Sequence, residues 1–323
     1  MRRRTLLTTS VAGLTASGFA RGQGAWPERP IRIIVPWPVG GAADLLTRLL
    51  AQQLAPRLGQ PVVVDNRPGA VTAIGAEQAA RAAPDGYTLF VSNADSHAIN
   101  PFVFRRLPYD PQADFAPVTQ FAEVPFALVS GPSQPAVRTL ADLVAAARAA
   151  PGRLSFGSWG AASSGRLAVE RIMQAAGMQM LHVPFAGSAP ILTAVAGGQI
   201  DSGVAAPGGA MQLIQQGLLR GLVVTGSSRL PALPDVPTLR EAGLNLTAVS
   251  WLALHAPART PEAIRARIAE EVAAVLRMPA IIEGFRAQAC EPVSTTPDGL
   301  GRFVQEEVAR WGEAVRLANL QPE

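Results

Sequence analysis

Residues 31–58 read IRIIVPWPVGGAADLLTRLLAQQLAPRL, and the fold class turns on this stretch. Residues 31–35 form a short apolar run rich in β-branched side chains, the pattern of a buried strand. Pro36 and Pro38 interrupt it, and Gly40-Gly41 turn the chain. From 42 to 58 the leucines at 45, 46, 49, 50 and 54 form one stripe at helical period. The unit then repeats. Residues 62–64 read as a strand ended by Asp65-Asn66-Arg67-Pro68-Gly69. Residues 71–83 read as a helix stopped by Pro84-Asp85-Gly86, and 88–92 as a third strand. Strand, helix, strand, helix, strand implies a parallel sheet with right-handed crossovers.

Past an irregular, Pro-rich stretch at 100–117, strands are expected at 118–121 and 126–129. A second alternating series follows, with helices at 140–150, 164–176, 188–197 and 209–216. Its strands are expected at 154–157, 180–185, 202–206 and 221–225. The tail adds a strand at 250–255 and amphipathic helices at 261–277 and 297–317. The chain is therefore expected to be α/β, with two lobes, each a mainly parallel sheet flanked by helices. Residues 26–123 with 250–323 make lobe 1, and 124–249 make lobe 2. The chain crosses twice between lobes, which makes a hinge with a cleft where ligands bind.

Composition narrows the function. The chain has 323 residues, 48% of them apolar and only 16% charged, so core material is ample. Every basic residue is arginine, which excludes a Schiff-base lysine and a phosphate-loop lysine. A single cysteine, Cys290, excludes a disulfide framework, and His97, His182 and His255 have no zinc-ligand spacing. No cofactor or metal is expected. Arg2, Arg3, Arg4 and Arg21 account for the net charge of +4, and the rest of the chain is balanced. No nucleic-acid partner is expected from such a body. Residues 1–25 combine a basic start, a short apolar stretch and small residues, and read as an export signal. Arg3-Arg4-Thr5-Leu6-Leu7 fits a twin-arginine pattern, although a Sec signal looks similar. The mature protein is expected in the periplasm.

Two loops carry the candidate chemistry. The first, after the first strand, includes Trp37, Pro38, Val39, Gly40, Gly41 and Ala42. The second, after the strand at 154–157, includes Ser158, Trp159, Ala161, Ser163 and Ser164. Each opens a helix, whose N-terminus offers unpaired N–H groups and partial positive charge to an anion. Plain turn chemistry accounts for either loop alone, and Ser163 and Ser164 suit a helix cap. One such loop in each lobe points to an oxyanion gripped by main-chain amides from both sides. Ser92 and Asn93, at the end of the third strand, are further candidates, as are Phe185 and Ala206.

The segments Trp26-Pro27-Glu28-Arg29-Pro30 and Pro36-Trp37-Pro38-Val39-Gly40-Gly41, with Asp65-Asn66-Arg67-Pro68-Gly69, Pro84-Asp85-Gly86-Tyr87 and His97-Ala98-Ile99-Asn100-Pro101, resemble the Bug family. So do Leu181-His182-Val183-Pro184-Phe185, Leu233-Pro234-Asp235-Val236-Pro237-Thr238 and Glu241-Ala242-Gly243. These are extracytoplasmic solute-binding proteins of tripartite tricarboxylate transporters. The resemblance runs in order along the mature chain. It implies a type II-like periplasmic binding protein that closes on a small carboxylate, holds it at the loops above, and delivers it to membrane permease subunits. A monomer without catalysis is expected. Where the family often has a second acid after Asp201, this sequence has Ala206. A basic residue is usual at Ala186, and a small polar one at Trp159. These departures favour a mono- or aromatic carboxylate over an amino acid or citrate. The alternatives are a periplasmic serine hydrolase, with Ser163 or Ser164 as nucleophile and His97 as base, and a ligand sensor docking on a membrane receptor.

Overall fold

The computed structural model describes residues 26–322; the expected export signal lies outside them. Eleven strands and ten α-helices are found among the described residues. The first sheet takes β1 (Ile31–Val35), β2 (Val62–Asn66), β3 (Thr88–Ser92), β4 (Phe115–Val124), β10 (Ser250–Pro257) and β11 (Glu291–Pro292), in the order β11-β4-β10-β3-β1-β2. The second takes β5 (Ala127–Ser130), β6 (Ser155–Ser158), β7 (Leu181–Pro184), β8 (Ser202–Ala205) and β9 (Arg220–Val224), in the order β7-β6-β8-β5-β9.

The expected α/β class with two helix-flanked sheets is what the chain adopts, but each sheet is mixed rather than mainly parallel. β2-β1-β3 and β7-β6-β8 pair parallel. The strands beside them, β10, β4 and β11 in one sheet and β5 and β9 in the other, pair antiparallel. The reason is connectivity. Helical crossovers return a strand parallel, whereas β5 and β10, the strands entered by the two passages between sheets, run against their neighbours, and β4 and β9 on their far sides run with the parallel strands again.

Side-chain alternation in β1 assigns its two faces. Ile31, Ile33 and Val35 pack under α1 (Ala42–Leu58) and α8 (Glu262–Leu276), while Ile34 packs under α2 (Ala73–Ala80). In α1 the residues Leu46, Leu50, Leu54 and Leu58 are buried at one-turn spacing, each worth about 2 kcal/mol against exposure. Gly59, at φ 71°, ends the helix in the left-handed conformation that glycine adopts at no steric cost. In the second sheet Leu128 and Phe156 face α4 (Leu140–Ala149) and α5 (Ser164–Ala176). Ala127 and Val129 face α6 (Ser188–Ala196) and α7 (Pro207–Gln215).

Three helices differ from expectation, the first being the four-residue α3 (Asn100–Val103), which opens the stretch expected to be irregular. α2 starts at Ala73, not 71, because Ala70, Val71 and Thr72 all have positive φ. A helix α9 (Pro279–Ala287) packs Ile281 and Phe285 into the first core. The last helix, α10 (Pro297–Leu317), is fastened by Glu307, whose buried Oε2 accepts from the indoles of Trp251 (3.0 Å) and Trp311 (2.8 Å). Leu167 of α5 joins Trp251, Leu300, Val304 and Trp311 in one apolar cluster, so α5 packs against elements of the first sheet.

Candidate functional site

In both sheets the sequence candidates fall at the carboxyl edge of the parallel strands. Trp37 to Ala42 follow β1, and Ser92 and Asn93 close β3. Trp159 to Ser164 follow β6, Phe185 follows β7, and Ala206 follows β8. Open α/β sheets bind ligands at such edges. The edges touch at two places. Asp95, after β3, reaches Ser164 and Trp159. Val71, after β2, lies beside Gly160, where a Cβ would come within 3.2 Å of its side chain. β1 lies between β2 and β3 in the sheet, so its loop is flanked on both sides by loops that meet the β6–α5 corner.

The β1–α1 loop is open. Residues 38–41 are exposed, and Val39 is 71% exposed. Gly41 caps α1 without a side-chain bond, and a Cβ there would meet only the Pro38 carbonyl, at 3.8 Å. Trp37 is half-buried and packs against the first core, away from a free stacking role. Its carbonyl accepts from Asn66 Nδ2 (3.1 Å). Asp44 Oδ2 accepts from Gly40 N (2.9 Å), and Oδ1 accepts from Arg48 Nε (3.0 Å) and Asn66 Nδ2 (2.9 Å). Burial alone would raise its pKa. The Arg48, Gly40 and Asn66 hydrogen bonds outweigh burial and hold it below the ordinary carboxylate value. Among the described residues Trp37–Ala42 make no hydrogen bond to the second sheet's elements.

The β6–α5 corner is closed. Ser163 caps α5, its Oγ accepting from Arg166 N (3.2 Å). Ser164 is fully buried. Its N–H donates to Asp95 Oδ1 (2.6 Å), and its Oγ has no partner. Ser158 Oγ is spent on Ser163 Oγ (3.2 Å) and His182 Nε2 (2.7 Å). The Ala161 carbonyl accepts from Arg166 Nη1 (2.6 Å). The Trp159 ring lies edge-on to Phe126 at 5.0 Å and covers Gly165, while its Nε1 donates to Asp95 Oδ2 (3.2 Å). Phe185 N donates to the Ser158 carbonyl (2.8 Å), which holds its half-buried ring beside the same strand. Ala206 caps α7 with its N–H 3.4 Å from Ser188 Oγ. Asp201, which precedes β8, lies off this edge. Its carboxylate accepts from Ser155 N (2.8 Å) and Gln134 Nε2 (2.9 Å).

Ser92 and Asn93 are both buried and internally bonded. Ser92 Oγ pairs with His255 Nδ1 (2.7 Å), and the Asn93 side chain accepts from Ser96 N (3.0 Å) and donates to Asp95 (3.0 Å). His97 bonds Ser96 Oγ rather than backbone, its Nε2 has no partner, and its ring stacks among Phe90, Phe115 and His255. It is not brought to Ser163 or Ser164. At the β6–α5 corner the serine that meets a histidine is Ser158, with His182. Burial first, and Arg166 second, lower the His182 pKa to about 4, and Ser158 is fully buried. A base of that strength beside an inaccessible hydroxyl makes a poor nucleophile couple at neutral pH.

Asp95 is the residue that sequence reasoning passed over. The signal was present: an acid two residues beyond Asn93, at the carboxyl end of a parallel strand. A carboxylate there runs against the expectation of an anion ligand. The left-handed run at 70–72 was also missed, because two β-branched residues at positive φ contradict local preference. Asn100 Nδ2 braces it through the Val71 carbonyl (2.8 Å).

A family profile described as tripartite tricarboxylate transporter family receptor, TctC, matches residues 46–320. BugT of Bordetella pertussis is 34% identical over 293 residues, 90% of each chain. Among solved structures, an R. palustris protein with adipate superposes at TM-score 0.87 and 35% identity, covering 92% of this chain and 100% of that one. MatC from Rhodopseudomonas palustris with bound malate gives TM-score 0.81 at 31% identity, covering 90% and 100%. The two helix-flanked sheets whose strand ends meet at Asp95 and Val71 are thus matched along nearly their full length, and the chain belongs to the tripartite tricarboxylate transporter receptor family, the TctC or Bug solute-binding proteins.

Proposed function

We propose that this protein captures a small carboxylate between its two α/β units in the periplasm and delivers it to membrane permease subunits, without catalysis. Residues 26–123 with 250–323 act as one lobe and 124–249 as the other, joined by the β4–β5 and β9–β10 passages. Residues 1–25 serve as the export signal. The observation that carries this reading is the meeting of both carboxyl edges at one corner, with the α1 N-terminus, which no side chain caps, between the two points of contact. Relatives with this fold hold adipate and malate, and first-turn amides suit the same anion chemistry. The half-buried rings of Trp159 and Phe185 add apolar surface that matches a ligand with a hydrocarbon body.

Calorimetry with a panel of aliphatic, aromatic and dicarboxylic acids tests it. At least one acid is expected to bind with one-to-one stoichiometry, and its neutral amide is expected not to bind. A folded protein that takes up no acid of the panel overturns the reading.

A further inference from the structure

We propose that Asp95 makes this protein selective for monocarboxylates, because the chain's own carboxylate already fills the α5 N-terminus. The inference rests on the carboxylate-receptor reading above and names the ligand class within it.

Asp95 is fully buried. It opens a π-helical turn, Asp95–Ile99, directly after β3, and such turns recur at functional sites. Both of its oxygens accept only from N–H groups: Oδ1 from Ser164 N at 2.6 Å, and Oδ2 from Asn93 Nδ2 at 3.0 Å and Trp159 Nε1 at 3.2 Å. Three N–H donors and no O–H partner describe an acceptor-only, ionised carboxylate. Among the described residues no arginine pairs with it. Its charge is balanced by the α5 N-terminus, the position at which a ligand anion would otherwise sit. A second carboxylate brought to this corner would meet a buried like charge, and the arginine of the corner, Arg166, is already engaged by Glu170 and the Ala161 carbonyl.

The α1 N-terminus differs. Gly41 supplies no capping side chain, residues 38–41 are exposed, and Asp44 beside it is already paired with Arg48 at 2.9 Å. This end is left for the ligand's single carboxylate. At the Asp95 end the fully buried Ser164 Oγ is without a partner. A buried hydroxyl of that kind calls for a hydrogen-bonding group on the ligand, and beside the Asp95 carboxylate that group is an uncharged one. The far end of the ligand is therefore neutral: a hydrocarbon tail, a ring, or a carbon chain carrying a hydroxyl.

The test measures affinities for chain-matched acids, such as hexanoate with adipate and benzoate with terephthalate, on the wild type and on Asp95→Asn. The asparagine keeps an acceptor for Ser164 N, and a melting curve establishes that the variant folds. The wild type is expected to bind the tightest monocarboxylate of the panel at least tenfold more tightly than its counterpart with a second carboxylate. Asp95→Asn is expected to narrow that ratio by tenfold or more. If the wild type binds the dicarboxylate as tightly as the monocarboxylate, the inference is overturned and the receptor reading stands. An unchanged ratio in a folded Asp95→Asn protein also overturns it. A wild type that binds no carboxylate removes the receptor reading and this inference together.

Discussion

Gly41 holds the N-cap of α1 in an extended conformation, φ −77° and ψ 166°, that any residue adopts. A side chain there meets open space apart from the Pro38 carbonyl. Aspartate is a favoured N-cap, so Gly41→Asp is expected to keep or raise the stability, by about a few tenths of a kcal/mol at most, which a melting curve reads. The same carboxylate stands where a ligand anion would accept the first-turn amides. Its affinity for the cognate acid is therefore expected to fall at least tenfold, about 1.4 kcal/mol. Calorimetry on the variant checks this, and unchanged affinity in a folded protein would remove the β1–α1 loop from the site. Residue-scale legibility was uneven. Gly40 and Gly41 announce a turn by composition alone. The commitments of Ser92 to His255 and of Ser158 to His182 span 163 and 24 residues of sequence, and no local pattern encodes them.

At the scale of elements, α5 shows packing overruling propensity. Gly165 sits in its first turn, where replacement by alanine would ordinarily stabilise a helix by up to about 1 kcal/mol. Here an added Cβ falls 2.6 Å from the Trp159 ring. The indole must move, which costs roughly 1–3 kcal/mol of overpacking strain and breaks its bond to Asp95. Gly165→Ala is therefore expected to lower stability and to shift the tryptophan emission. A denaturant midpoint at or above the wild-type value would refute this account of the corner. Strands and long helices were readable from sequence because their burial is periodic: β1, β3, α1, α5 and α10 match the pattern closely. α9 was not, because it is short and starts one residue after a break, at Pro279. The start of α2 was displaced because the 70–72 turn is held from outside, by Asn100.

For the molecule as a whole, acid sensitivity follows from three buried or half-buried histidines. Burial lowers the His255 pKa to about 3, and burial with nearby Arg166 lowers that of His182 to about 4. Burial, and then His255, push that of His97 well below its ordinary value. All three stay neutral in the folded chain, whereas the unfolded chain binds their protons below about pH 6.5. Stability from this source is complete above that pH and is lost progressively toward pH 3. His255 alone accounts for roughly 3 kcal/mol at pH 4. The carboxylates with lowered pKa, Asp44, Asp142, Asp201 and Glu241, lose their contribution only at more acid pH. The fall between pH 6.5 and 4.5 thus belongs to the histidines. Denaturant midpoints at pH 7, 5.5 and 4.5 should decline steadily, and a flat profile would contradict three neutral rings.

The sequence by itself determined the alternation of strands and helices, the two-unit α/β class, and the turn chemistry at Gly40-Gly41 and Ser163-Ser164. These follow from burial periodicity and backbone preference, which act within a few residues. Only the tertiary structure decided that each sheet mixes parallel and antiparallel pairings, since β4 and β10 pair across more than a hundred residues. It alone decided that the two helix N-termini are unequal, α1 open and α5 met by Asp95. That inequality arises from a carboxylate on one sheet's edge reaching an amide of the other, 69 residues away in sequence. Long-range complementarity of this kind is set when the two units pack together, and neither segment carries it alone.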